Sequence, residues 1–358
     1  MKKTWLFKIL TLPLLIACNG QGSSIKVSSD TISQKQIDTI VSNIENRYPE
    51  APKVQKQNAA EVVVRAIENL VFVEGGSFDM GDFRMDCDFP SRNENRLDWS
   101  PDAQCLSSDS SGLSGAMHLH NVTLDSYSIS KYETSFMDME WMRLINDLPV
   151  ADSTMVSLIP PKYKPVLRSS NDYQELIERH SKVKEAAKAK YWQEAKDYCQ
   201  WLGNVSDLPF DLPTEAQWEY AARSRGQHYY YATNNGYRNV RGGKSYYDAI
   251  LDRYVKIKPE EVNTTSSMII RKEIGQWPPN PLGVYDMSNG ISEWVDDWFA
   301  RDYYLESPEN NPQGPEIGTQ KVSRGGKTFD RSNPGLQVEI YSGLQSFRCA
   351  LQSEVVEY

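Results

Sequence analysis

Apolar residues recur along this chain with two different periods, and the change from one to the other separates its parts. In "SQKQIDTIVSNIENRYPEAP", Ile37, Ile40, Val41 and Ile44 fall at i, i+3, i+4 and i+7, the stripe of an amphipathic helix. Pro49 and Pro52 end it. A second short helix is expected over about residues 58–69. Such a stripe docks on the protein's own core or fits a partner's groove. From residue 70 the period becomes two. "LVFVEGGSFDMGD" alternates about Gly75-Gly76 and predicts a hairpin over 70–82. "HNVTLDSYSISKYETS" alternates again through Val122, Leu124, Tyr127 and Ile129, and residues 136–148 then predict a helix. Residues 149–182 are Pro-rich and irregular, with weak helical character near 173–179.

Helical periodicity returns in "YWQEAKDYCQWLG". Trp192, Ala195, Cys199 and Leu202 share a face, and Gly203 is the expected C-cap. In "DLPTEAQWEYAARSRG", Thr214 and Gln217 form a T-x-x-Q capping box behind Pro213. Glu215 and Glu219 then lie one helical turn apart, the spacing of a solvated face. Trp218, Trp294 and Trp298 are expected in the core. Residues 224–275 are rich in Tyr, Asn and Gly and predict mostly loop.

The chain has 358 residues, 39% of them hydrophobic, enough for one large core with appendages. Its start changes the picture. Lys2, Lys3 and Lys8 precede an apolar stretch and "LIAC", the pattern of a bacterial lipoprotein signal in which Cys18 is lipidated. Residues 1–17 are therefore set aside as a signal peptide. Asn19 after the cysteine favours the periplasmic side of a Gram-negative outer membrane, where acyl chains anchor at about 0.8 kcal/mol per buried CH₂. Residues 18–69 read as a polar tether (19–30) and helical extension, and residues 70–358 as the main domain. No later apolar stretch reaches the about 20 residues of a spanning helix.

Removing residues 1–17 takes three lysines and no acids, so the net charge of −9 becomes −12. That balance disfavours nucleic acid and an anionic membrane face as partners, and permits a basic protein. With Cys18 lipidated, Cys87, Cys105, Cys199 and Cys349 remain and allow three pairings. A Cys87–Cys105 bridge would stabilise by about 3 kcal/mol and leave Cys199 with Cys349.

Six stretches in order, "FVEGGSFDMG", "HNVTLDSYSISKYETS", "YWQEAKDYCQWLG", "LPTEAQWEYAAR", "GVYDMSNGISEW" and "RGGKTFD…FRCA", resemble the formylglycine-generating enzyme family, also called sulfatase-modifying factors. The likeness runs over about residues 70–352. It implies an α+β domain with little regular secondary structure, related to C-type lectins. It also implies a Cys199–Cys349 disulfide. Arg324 and Arg348 are themselves expected to make buried or half-buried framework hydrogen bonds, not an anion site. Active members oxidise a substrate cysteine with two thiols that bind copper, and a soft Cu(I) ion requires such ligands. The positions that match those thiols are Asp330 and Gly335 here. Lys327 and Thr328 depart from the pattern as well. No copper is therefore expected, and the chain reads as a pseudoenzyme.

The resemblance further implies a structural Ca²⁺ held by Asp286 and Glu293 carboxylates and by the main chain of Asn289 and Ile291, a hard-oxygen set. Asn289-Gly290 reverses the family's usual order, and Ser292 replaces a Trp. An altered metal enzyme would use His118, His120 and Asp330, the two histidines forming an H-x-H pair. No G-x-S-x-G, H-E-x-x-H or P-loop offers other chemistry. The leading expectation is a partner-binding lipoprotein. By analogy with how such lipoproteins are used, it is an immunity or accessory protein that neutralises a secreted effector such as a type VI phospholipase. A structural role in an envelope complex, metal-dependent chemistry and sugar binding are the alternatives.

Overall fold

In the computed structural model, residues 25–81, 118–151, 166–228, 232, 234, 245–248, 253–256, 273–275, 278–288, 291–325, 338–340 and 345–353 are described. The first helix, α1 (Gln34–Arg47), forms where the stripe places it. Ser33 caps it through Gln36 N, and Ile37, Ile40 and Ile44 are buried. The second, α2 (Lys53–Glu68), starts earlier than expected, directly at Pro52, because a proline's fixed φ suits a helix start. Buried Lys56 pairs with Glu45 at 2.8 Å and ties the two helices together.

The polar segment before α1 is not all tether. Ile25 and Ile32 are buried. Lys26 exchanges main-chain bonds with the Gln57 amide, and Ser29 Oγ donates to Glu68 at 2.5 Å. Two buried isoleucines outweigh the serine-rich composition, so the fold takes up the chain from residue 25.

The expected hairpin over 70–82 does not form. Strand β1 (Leu70–Val73) pairs antiparallel with β4 (Tyr127–Ser130), and β2 (Gly76–Met80) pairs antiparallel with β3 (His120–Leu124). Both ladders share one register, so 70–80 and 120–130 run as one long antiparallel ribbon interrupted at residues 74–75. At the interruption an added Cβ on Gly75 would sit 2.3 Å from Leu124 O. Gly75 thus permits close approach of the two strands, and Gly76 makes room for the Tyr220 hydroxyl, instead of the pair reversing the chain.

Helix α3 (Phe136–Ile145) is shorter than its pattern, and α4 (Asn171–Lys182) is longer. In α5 (Trp192–Ser206), Ala195, Cys199 and Leu202 are buried as predicted. Gly203 is not its cap. The helix runs on to Asp207, which takes φ +57°. A Cβ on Gly203 would meet Leu208 O at 2.8 Å, so this glycine serves close packing against the following chain. Helix α1 covers the end of α5, where Gln36 and Asn43 donate to the carbonyls of Ser206 and Val205 and satisfy groups that a helix end leaves open.

Strands β5 (Phe210–Asp211) and β12 (Ala350–Leu351) complete a four-stranded sheet in the order β1-β4-β12-β5. Between them in sequence lie α6 (Glu215–Ala222), the β6 (Ser245–Asp248) and β7 (Arg253–Lys256) hairpin, β8 (Glu293–Trp298), α7 (Tyr303–Glu306), β9 (Lys321–Arg324), β10 (Val338–Ile340) and β11 (Ser346–Phe347). Strands β10, β9, β8 and β11 form a second four-stranded sheet, with β11 parallel to β8. One apolar cluster joins α1–α5, and a second joins α6 to the strands. The Cys199–Cys349 disulfide links α5 to the β11–β12 turn. Cys18, Cys87 and Cys105 lie outside the described residues. Among the described residues, no helix is long and apolar enough to cross a membrane.

Candidate functional site

Every residue of α6 is buried, although three of its eight are Glu or Gln. The T-x-x-Q box starts it as read from sequence: Gln217 N donates to Thr214 Oγ1, and Thr214 N donates to Gln217 Oε1. The expectation of a solvated Glu215/Glu219 face is overturned. Arg324, at the end of β9, donates through Nη1 to Glu215 Oε1 (2.8 Å) and through Nη2 to Glu219 Oε2 (2.6 Å). Arg223 adds Nη1 to Glu219 Oε1 at 2.7 Å, and Tyr304 OH donates to Glu215 at 2.9 Å. Burial pushes the Glu215 carboxyl up. Burial acts the same way on Glu219, but Arg324 and Arg223 outweigh it and hold this carboxyl below its ordinary range. Two acids and two guanidiniums thus neutralise one another out of water, as buried charges require.

A second ion pair stands beside the first. Arg348 grips both oxygens of Glu293, through Nε at 2.6 Å and Nη2 at 2.7 Å. Trp218 Nε1 adds a third bond to Glu293 at 2.9 Å. The remaining Arg348 hydrogens reach the carbonyls of Ser130 and Tyr285. Arg324 and Arg348 are 1% and 0% exposed, so the framework role expected for them holds. Trp218 and Trp294 are core residues as expected. Trp298 instead forms one side of a sandwich, with Trp192 opposite and Lys321 Nζ between them at 3.7 Å from Trp192 and 4.0 Å from Trp298. No spacing in the sequence signals that lysine, because its two indoles come from α5 and β8.

Gly325 follows Arg324 and packs against Trp218, which bonds Glu293 of the second pair. Gly325 takes φ +85°, and a Cβ there would lie 2.7 Å from Met287 O and 3.0 Å from the Trp218 ring. Glycine is needed here for conformation and for space. The ion pairs therefore fix the point from which residues 326–337 depart. Asp330 and Gly335 belong to that segment, outside the described residues.

Of the calcium set, Asp286, Ile291 and Glu293 lie among the described residues. Asp286 adopts φ +63° and accepts Gly275 N at 2.6 Å through Oδ2. Asn289 lies outside the described residues, and Ile291 precedes β8. Both Glu293 oxygens are taken by Arg348, so Glu293 does not fit a calcium ligand without surrendering a buried ion pair. His118 and His120 do come together, with rings 6.3 Å apart. His120 packs on the Tyr304 ring, and burial lowers its pKa. Among the described residues, no group of three or more His, Cys, Asp or Glu is arranged to hold a metal ion.

Sequence reasoning passed over Glu133, which is 4% exposed. Burial first, then the neighbouring Glu293 and Asp286 carboxylates, push its carboxyl up to about 8, against the pull of Arg348 and Ser346. An acid with a raised folded pKa stabilises the fold fully below its ordinary 4.5, and that contribution fades as pH rises towards 8. Melting of the wild type and Glu133→Gln across pH 4–9 checks this. The wild type's advantage should shrink steadily between about pH 4.5 and 8, and a pH-independent difference would refute it.

Comparison with known proteins extends these observations. The sulfatase-modifying factor enzyme 1-like domain matches residues 55–351, which takes in most of α2. The formylglycine-generating enzyme of Streptomyces coelicolor is 33% identical over 137 residues, 38% of this chain and 39% of that one. This chain thus spans well under half the length of that curated relative. The chaperone protein LppX of Paenibacillus barcinonensis is 28% identical over 234 residues, 60% of this chain and 76% of that one. The structure of PvdO from Pseudomonas aeruginosa superimposes with a TM-score of 0.47 at 20% identity, covering 79% of this chain and 94% of that one.

Proposed function

The chain belongs to the sulfatase-modifying factor enzyme 1-like family, and from that premise we propose that it is a pseudoenzyme: a periplasmic lipoprotein whose scaffold binds a protein partner. The observation that carries this reading is where its sulfur lies. Of five cysteines, none falls between Arg324 and Arg348, where the thiol positions read Asp330 and Gly335. The two described cysteines are consumed by a disulfide. Neither glycine nor a hard carboxylate replaces a thiolate on Cu(I). The oxidation of a peptidyl cysteine thus lacks its metal ligands, while this chain's frame holds two buried ion pairs.

An accessory role fits the kinship with a protein named a chaperone, LppX, over most of that protein's length. Within this reading the partner is a secreted effector, such as a type VI phospholipase that the lipoprotein neutralises as an immunity protein. Anchoring through Cys18 would place the domain at the periplasmic face of the outer membrane. The same scaffold as a subunit of an envelope complex is the competing outcome. A calcium ion at Asp286 would be structural.

Two measurements on the mature chain test the reading. Incubated with a cysteine peptide, Cu(I) and oxygen, it should yield no peptidyl aldehyde by mass spectrometry. Affinity capture from periplasm, and separately with the product of the adjacent gene, should retain a saturable protein ligand. Aldehyde formation would refute the loss of chemistry. Failure of both captures would refute the partner.

A further inference from the structure

A cavity of about 510 Å³ opens on the helical side of the fold, between α2, the β4–α3 link, α4 and residues 184–185. That is within the roughly 300–1,000 Å³ of small-molecule sites. Arg324, Gly325, Glu215 and Glu219 do not line it.

The charges on its walls can be taken in turn. Arg65 is joined to Asp138 through Nε and Nη2, and Ser135 Oγ also donates to Asp138, so that pair is mutually satisfied. Glu133, with its carboxyl pushed up to about 8, carries little charge at neutral pH. Two charged residues remain, Lys184 and Glu185. Among the described residues, no hydrogen bond or ion pair engages Lys184 Nζ. Glu185 Oε1 is buried with no hydrogen-bond partner, while Oε2 lies 3.9 Å from His180 Nδ1. A buried carboxylate oxygen with an open acceptor site is costly unless something fills it.

The surroundings sort the two charges. Glu185 stands next to the Phe136–His180 stack, whose ring centroids are 3.9 Å apart, and its carbonyl accepts Phe136 N. Aromatic faces beside a carboxylate favour an ammonium group. The first turn of α3 lines the same cavity, but its Phe136 N and Asp138 N are already bonded and Asp138 supplies a carboxylate there. The exposed Lys184 ammonium is therefore the group left to meet a ligand carboxylate. Val62, Leu202 and Ile274 supply apolar wall.

We propose that this cavity binds a small zwitterion of amino-acid or dipeptide type, its ammonium on Glu185 and its carboxylate at Lys184, with an apolar side chain against Val62 and Leu202. The test of this site needs no protein partner.

Calorimetry on the mature chain uses the dipeptide Leu-Phe, its N-acetyl form and its C-terminal amide. Saturable binding of Leu-Phe with Kd below about 1 mM is expected, weakened by about tenfold or more in each capped form. Glu185→Gln should erase the preference for a free ammonium and leave the preference for a free carboxylate. Lys184→Met should do the reverse. The Tm of each variant shows whether it is folded. Absence of saturation with Leu-Phe up to about ten times that Kd, or equal binding of the capped and free forms, would overturn the site.

Discussion

Arg348→Met is expected to destabilise the protein by about 3–5 kcal/mol, because it leaves the Glu293 carboxylate buried without its cation. The side chain that would be lost makes two bonds to Glu293 and bonds to the carbonyls of Ser130 and Tyr285. Its partners come from β4, β8 and the residues between α6 and β8, so its removal affects both sheets at once. The burial of Glu293, at 0% exposure, leaves no room for water to replace the guanidinium. Urea unfolding measures the effect. The double variant Arg348→Met/Glu293→Leu should recover part of the loss, since it removes the stranded charge as well. A single variant within about 1 kcal/mol of wild type would show that the pair is not the structural centre described here.

Cys199→Ser should cost about 2–5 kcal/mol. The bond spans 150 residues, so its absence frees a very long loop in the unfolded chain. Both sulfurs are almost fully buried, at 0% and 1% exposure, and a serine hydroxyl there would lack water. The fall in Tm should match that of Cys349→Ser, because either change breaks the same link. A double variant should add little to either single one. Additive losses would mean that each cysteine acts through packing alone.

Much of the fold could be read in the sequence. The stripe of Ile37, Ile40 and Ile44, the face of Ala195, Cys199 and Leu202, and the Thr214–Gln217 box all appear where local periodicity and capping put them. Each depends on residues within a turn or two of one another. The hairpin at Gly75-Gly76 failed for the opposite reason. The alternation was right, but the partner of each strand lay about fifty residues away, and the glycines serve close tertiary approach to that partner and to Tyr220. Gly203 misled in the same manner, because its contact, Leu208 O, is tertiary.

The candidate site divides along similar lines. The amino-acid sequence by itself determined which side chain stands at each position: no cysteine lies between Arg324 and Arg348, and the matching positions hold Asp330 and Gly335. Only the tertiary structure decided the state of the charges. Glu215 and Glu219 have the spacing of a wetted helix face, and they are buried because Arg324 reaches them from more than a hundred residues along the chain. Sequence fixes which side chain a position carries, since folding cannot change it. Burial and pairing depend on distances between remote segments, and those exist only once the chain has closed on itself.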